Sequence, residues 1–312
     1  MDKTQPTKFY EIDIPTETNA LVDIYKESDD TPKWHNVLFL DIECEIGGAL
    51  TVEYIKRAPM KITSVALYDS TLKKYYCLIL DEKQQLERVE EEGKEIIPFN
   101  NEKNLLKGFL DKWEECDPTI ISGWNSEFFD IPYLYHRMCN VLGNDQANRL
   151  SPLKRCKPTG YGDEETIKIS GINHLDYMLL HKKFIMSQEP SYALAAIGEK
   201  YVKLGKIEYE GSLDRLFQED VNKFIEYNLR DVEILIALDN KLQFIELTKN
   251  ICHLCHTSYE NIYYSTALNE GAILTYLRRK DIVSPNKPTT MNPALKGANE
   301  EYAGGYLKDP IP

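Results

Sequence analysis

The sequence predicts an α/β protein: a mixed β-sheet flanked by helices, with a protruding β-hairpin and a helical C-terminal extension. Three observations carry that expectation. Strand-length apolar runs gather between residues 35 and 80; a helix, a short strand and a second helix follow; most of the chain beyond residue 174 has helical spacing. Strands joined by short links favour an antiparallel meander, and the helices that follow must cover both faces of the sheet.

Residues 1–34 are polar, with weak apolar alternation at Phe9, Ile12 and Ile14, and read as a short N-terminal arm. Val37-Leu38-Phe39-Leu40-Asp41-Ile42-Glu43 is too short and too rich in β-forming side chains for a helix, so it is the first strand. Residues 61–68 and 75–80 supply the second and third, with turn-like Asp69-Ser70 near their junction. The charged stretch 81–94 reads as exposed. Leu105, Leu106, Phe109, Leu110 and Trp113 recur at helical spacing, which predicts a helix over 101–116 capped by Asn100 or Asn101. Residues 118–122 make a short buried strand. A helix then starts at Asp130, with Pro132 in the first turn, where a missing N–H does no harm. Residues 153–170 combine a Lys/Arg cluster, a Gly160-Tyr161-Gly162 turn and alternation at 166–169, the pattern of a hairpin. Helices are expected over 174–185, 191–202, 213–247 with a break near Asp231, and 258–280; the tail from Ser284 is irregular. The chain thus divides into an arm (1–34), a main domain (35–250) and an extension with a tail (251–312).

With 42% hydrophobic and 28% charged residues, the composition is that of an ordinary globular protein. No apolar run approaches the roughly 20 residues of a membrane span, and residues 1–20 lack the apolar core of a signal peptide. Seven cysteines without a disulfide-like spacing suit a reducing compartment, so a cytoplasmic protein is expected (host cytoplasm if viral). The net charge of −13, from 37 basic and 50 acidic side chains, argues against a sequence-independent duplex binder. It does not argue against an enzyme that draws metal ions into a carboxylate pocket.

Three groups of residues bear chemistry. Asp41 and Glu43 lie two apart on one strand, so both side chains point to the same face. Crowded acids repel and lose hydration, and a divalent cation is the usual compensation; the plainer reading is a strand end facing water. Gly123-Trp124-Asn125-Ser126-Glu127-Phe128-Phe129-Asp130 joins a strand to a helix, where ligand sites in α/β sheets concentrate. Asp130 reads equally as a helix N-cap. Tyr227 and Asp231, at i and i+4, share one helix face; alone they read as a surface tyrosine beside an Asp paired with Arg230.

In order and content these groups resemble the three proofreading motifs of family B DNA polymerases, specifically those of T-even-like tailed phages. The first is matched by Phe39-Leu40-Asp41-Ile42-Glu43. The second is matched by Gly123-Trp124-Asn125 through Phe129-Asp130-Ile131-Pro132-Tyr133, and the third by Tyr227-Asn228-Leu229-Arg230-Asp231-Val232. Residues 149–152, 175–177, 182–184, 190–192, 205–206 and 308–312 are also similar, so the resemblance runs from about residue 35 to the end. It implies an RNase H-like fold and a 3′→5′ DNA exonuclease built on four acids and a tyrosine. These would be Asp41, Glu43, Asp130, Asp231 and Tyr227, with two Mg²⁺ or Mn²⁺ ions as cofactors. By the same resemblance Asp41 would bridge both ions, Glu43 and Asp231 would complete one site, Asp130 would support the second, and Tyr227 would orient the attacking water. Asn125 and Phe129 would contact the terminal nucleotides, although Phe129 reads equally as core. Lys206 would offset phosphate charge, or else be a solvated surface lysine. Lys154, Arg155 and Lys157, on the hairpin that helps part primer from template in the phage-like family, would contact DNA.

The family's palm motif, an Asp followed shortly by Ser-Leu-Tyr-Pro, is not in the sequence. The expectation is that this chain does not polymerise and that a separate polypeptide, or a missing C-terminal region, carries that activity. Cys252-His253-Leu254-Cys255-His256 matches a haem-attachment pattern, but no second cysteine pair or export signal supports haem or zinc. Two functions are weighed: an exonuclease acting on single-stranded DNA or an unpaired 3′ end, and a non-catalytic module that docks on a polymerase subunit and binds single-stranded DNA.

Overall fold

The computed structural model of the chain describes residues 10–28, 35–45, 47–49, 51–160 and 165–286. Phe9, the turn residues Tyr161 and Gly162, and the stretch 308–312 lie outside the described residues.

Nine strands are described: β1 (Val37–Cys44), β2 (Ile62–Asp69), β3 (Lys74–Leu80), β4 (Val89–Glu91), β5 (Lys94–Phe99), β6 (Ile120–Ser122), β7 (Cys156–Thr159), β8 (Thr166–Ile169) and β9 (Asn173–His174). Seven form one sheet in the order β4-β5-β3-β2-β1-β6-β9, while β7 and β8 pair as a separate antiparallel hairpin. The β1-β2-β3 meander is antiparallel as expected, and β6 joins β1 in parallel. The central strand obeys period two on two buried faces. Leu38, Leu40 and Ile42 enter one core, and Phe39 enters the other.

Helices cover both faces. Those before the hairpin are α1 (Thr16–Tyr25), α2 (Val52–Arg57), α3 (Glu102–Cys116), α4 (Asp130–Leu142) and α5 (Asn144–Ala147). After it come α6 (Tyr177–Phe184), α7 (Leu194–Val202), α8 (Leu213–Glu219), α9 (Val221–Leu242), α10 (Phe244–Leu254) and α11 (Ser265–Arg278). On the first face α3 contributes Leu105, Leu106, Phe109, Leu110 and Trp113, and α4 contributes Ile131, Leu134 and Met138. Asn101 caps α3 by accepting from the Asn104 N–H at 2.9 Å. On the opposite face α9 lays Phe224, Val232 and Leu235 against Phe39 and Ala66. This is a mixed α/β fold consistent with the RNase H-like exonuclease type.

Four expectations need correction. The stretch 81–94 is largely exposed as expected, but it also holds strand structure that was not expected: β4 falls within it and β5 begins at its end, pairing in parallel with β3. Charge hid these strands, and Pro98 sits within β5, yet Glu95 there is buried because Arg88 and Lys74 neutralise it. The break expected near Asp231 does not occur. α9 runs unbroken through it and is bounded instead by Asp220, whose carboxylate caps Lys223 N–H at 3.0 Å, and by left-handed Gln243. The N-terminal arm contains a helix, α1, which packs on α11. Arg278 fastens the two by donating to Glu11 and Asp23. Finally, α2 is a helix that the sequence pattern does not predict; Thr51 caps this short element.

A buried ion pair locks the helical layer to the sheet. Glu102, at the start of α3, accepts two bonds of 2.7 Å from Arg137 of α4 and one of 2.8 Å from Ile62 N–H of β2. Removing Glu102 leaves a buried strand N–H without a partner and a partly buried guanidinium without its counter-charge. Glu102→Ala is expected to destabilise by about 3 kcal/mol. Lys61→Ala, which breaks an exposed pair with Glu82, should cost under about 1 kcal/mol. Urea denaturation of both variants checks this contrast.

Candidate active site

The parallel neighbour of β1 is short. β6 pairs only with Val37, Leu38 and Phe39, so the far edge of β1 is free of strand partners from Leu40 onward. Two features of the loop after β6 fill that edge. Gly123 lies so close that a Cβ there would stand 2.8 Å from the Leu40 carbonyl, which demands glycine. The Asp130 carboxylate then accepts the Ile42 N–H at 3.0 Å, taking the place of an absent strand. Asp130 is therefore not the N-cap of α4. It is the first helical residue, and Phe129 occupies the cap position without a side-chain bond.

Asp41 and Glu43 project to the face on which α9 packs, and α9 brings Tyr227 and Asp231 to them. Oxygens of Asp41, Glu43 and Asp231 all lie within 4.8 Å of one another. Asp231 is buried, and its Oδ1 has no hydrogen-bond partner. Burial, followed by Asp231, pushes the Glu43 carboxyl up to about 8. Burial lifts Asp130 to about 7, against the pull of the Ile42 N–H. Burial and then Asp231, Asp130 and Glu43 hold Asp41 well above the usual carboxylate range.

Lys206 enters this acidic corner. Its ammonium bonds Asp231 Oδ2 and donates to the Tyr227 hydroxyl at 3.1 Å. Burial opposes its charge, but Asp231 and Tyr227 outweigh that and raise its pKa. Burial pushes the Tyr227 phenol up to about 12 despite the ammonium, so it is protonated at neutral pH and keeps its proton to donate. Tyr209 packs edge-on against its ring at 5.3 Å.

The remaining predicted residues are less engaged. Asn125 sits in the left-handed region, φ +63°, and its carbonyl accepts from the Phe128 and Phe129 N–H groups. Phe129 is half-buried and packs on the core beside Tyr133, as its plainer reading had it. Lys154, Arg155 and Lys157 are exposed on the hairpin and its base, and Lys154 already pairs with Glu114 of α3 at 2.9 Å.

Three residues outside the predicted set stand behind the site: Asn228, Ser64 and Asp176. Asn228 donates to Asp41 Oδ2 at 2.7 Å and accepts from the Ser64 hydroxyl. Its spacing of three from Asp231 on one helix was the available signal. Asp176 is fully buried; it accepts from Glu127 N–H at 2.9 Å and caps α6 through Leu179 N–H at 3.1 Å, fixing the loop that leads to Asp130.

The family described as DNA polymerase family B, exonuclease domain, matches residues 1–197. The chain belongs to that family. The matched span includes Asp41, Glu43 and Asp130, while Lys206, Tyr227 and Asp231 lie beyond it. Individual relatives carry DNA polymerase names. The chain is 34% identical over 220 residues to a DNA-directed DNA polymerase of Escherichia phage RB69, covering 69% of this chain and 24% of the relative. It is 31% identical over 206 residues to that of Enterobacteria phage T4, covering 65% and 23%. It is 26% identical over 223 residues to a Thermococcus litoralis DNA polymerase, covering 68% and 12%. The chain spans about a quarter of the length of the phage relatives it matches. No described helix of this exonuclease-family chain is long and apolar enough to cross a membrane.

The crowded acids make stability depend on pH. A carboxyl whose folded pKa exceeds its unfolded value of about 4 binds more protons when folded, so its contribution is present at low pH and lost as pH rises towards the folded value. In EDTA, the melting temperature of the parent relative to Glu43→Gln should fall between about pH 5 and pH 8. Calorimetric melts across that window test it. A difference that rises with pH would refute burial and repulsion as the forces that raise the Glu43 carboxyl.

Proposed function

We propose that this chain is a 3′→5′ DNA exonuclease that removes 3′-terminal nucleotides by metal-dependent phosphodiester hydrolysis. The observation that carries the reading is the convergence of Asp41, Glu43 and Asp231, whose oxygens lie within 4.8 Å of one another, together with a buried Asp231 oxygen that has no hydrogen-bond partner. A hard divalent cation, Mg²⁺ or Mn²⁺, satisfies such an all-oxygen set, and family membership supports the same chemistry. Asp41, Glu43 and Asp231 would hold one ion, with Asp41 shared with a second that Asp130 supports. Bound there, two ions would activate water and neutralise charge on the phosphate and the leaving 3′ oxygen. Tyr227 supplies a neutral hydroxyl that orients the water, and Lys206 brings a positive charge for the scissile phosphate. Asn125 and the exposed edge of Phe129 border the terminal nucleotides, and the hairpin with Lys154, Arg155 and Lys157 meets the strand end. The polymerase activity named for the relatives would come from a polymerase-bearing part, in this polypeptide or a separate one.

Incubation of the chain with end-labelled single-stranded DNA and Mn²⁺ tests the reading, and stepwise shortening from the 3′ end is expected. Asp41→Ala should abolish shortening. Tyr227→Phe should lose about ten- to a thousandfold in single-turnover rate, the scale of one positioned donor, while Mn²⁺ affinity by calorimetry stays near the parent's. A Tyr227→Phe variant that cleaves like the parent rules out the assisted-water role.

Substrate choice gives a second test. An unpaired end reaches the half-buried acids without the few kcal/mol that unstacking and unpairing cost, so single strands and mismatched ends should be cut faster than matched duplex. Neutralising Lys154, Arg155 and Lys157 together should slow duplex-end cleavage more than single-strand cleavage. Equal slowing of both would remove the hairpin from end-opening.

A further inference from the structure

We infer that Asn228, braced by Ser64, is a positioning residue that holds Asp41 ready for metal. This role rests on the proposed metal-dependent reading and extends it to a residue outside the acid-and-tyrosine set. Asn228 and Ser64 are both fully buried, so a polar chain here is satisfied within the protein or not at all.

The polarity of the chain follows from its ends. Asn228 turns its Nδ2 to Asp41 Oδ2 at 2.7 Å, the polarity that suits a carboxylate which must be ionised to hold a cation. Its Oδ1 then faces Ser64, whose hydroxyl is the donor. Ser64 owes its place to strand register: it lies directly opposite Glu43 in the β1–β2 pair, on the face that α9 covers. One relay therefore crosses β2, α9 and β1. Asn228 also follows Tyr227 by one residue and precedes Asp231 by three, so fixing its amide fixes the helical rotation that presents both.

The consequence is pre-organisation. Asp41 lies in a crowd of acids that repel it, and nothing about a β-strand alone selects its carboxylate orientation. The amide holds Oδ2 by a direct hydrogen bond and so fixes the plane in which the carboxyl meets Glu43 and Asp231. Partners of this kind behind metal ligands commonly govern affinity by about 10- to 100-fold.

The test is Mn²⁺ binding to the purified chain, followed by the electron paramagnetic resonance signal of free Mn²⁺ without DNA, alongside melting in EDTA. Asn228→Ala should weaken Mn²⁺ binding by about 10- to 100-fold, and saturating Mn²⁺ should restore much of its cleavage. Asp41→Ala should not be rescued. Ser64→Ala deletes one buried hydroxyl, frees the amide to turn, and should weaken binding in the same direction by a smaller factor. It decides the matter if Asn228→Ala does not fold. Binding curves of Asn228→Ala or Ser64→Ala that superimpose on the parent's overturn the relay while leaving the metal centre standing. A parent that binds no Mn²⁺, or an Asp41→Ala variant that binds like the parent, overturns the metal-centre reading and the relay with it.

Discussion

Asp130 comes to the edge of β1, beside Asp41, because β6 stops three residues into its pairing with that strand. The open strand edge must be satisfied, and a side chain does it where another strand would otherwise lie. Asp130 thereby becomes a structural acceptor whose charge also raises the neighbouring Asp41. A full-length β6 would satisfy the edge and close the corner. The geometry that leaves room for chemistry and the geometry that creates repulsion are the same.

Repulsion of this kind is tolerable only against a rigid frame. Burial raises the acids, and Lys206 is the positive group that offsets them, bonded to Asp231 and Tyr227. The frame comes from bonds made away from the acids, on the elements that carry or flank them. Glu102 and Arg137 tie α3, α4 and β2 together, and Asp176 ties the loop after β6 to the start of α6. The Trp124 indole, anchored on the Tyr192 carbonyl at 2.9 Å, holds the same loop from its other side. Stability elsewhere thus sustains an arrangement that is itself unfavourable without a cation.

The acidic balance of the chain takes on a local meaning beside this site. Several basic side chains nearest the hairpin are already engaged: Arg149 pairs with Asp111 and Glu114, and Lys154 with Glu114. Arg155 and Lys157 stay exposed on the hairpin and are in none of these pairs.

The sequence by itself determined whatever depends on short-range periodicity and capping. Period two put Asp41 and Glu43 on one face, helical spacing put Tyr227 and Asp231 on one face, Asn101 capped α3, and Pro132 took the first turn of α4. Family resemblance joined these separate pairs into one site before any fold was known. Where local rules admitted two answers, only tertiary structure chose. Asp130 had the spacing of a cap but bonds a strand 88 residues away. Lys206 had no local sign of a role, and the partnership of Asn228 with Asp41 spans 187 residues. β5 was hidden because its buried Glu95 is tolerable only once Arg88 and Lys74 are beside it. Periodicity describes which way a side chain points from its own element. Which group it meets depends on register and helix packing, and those are settled only when the whole sheet has formed.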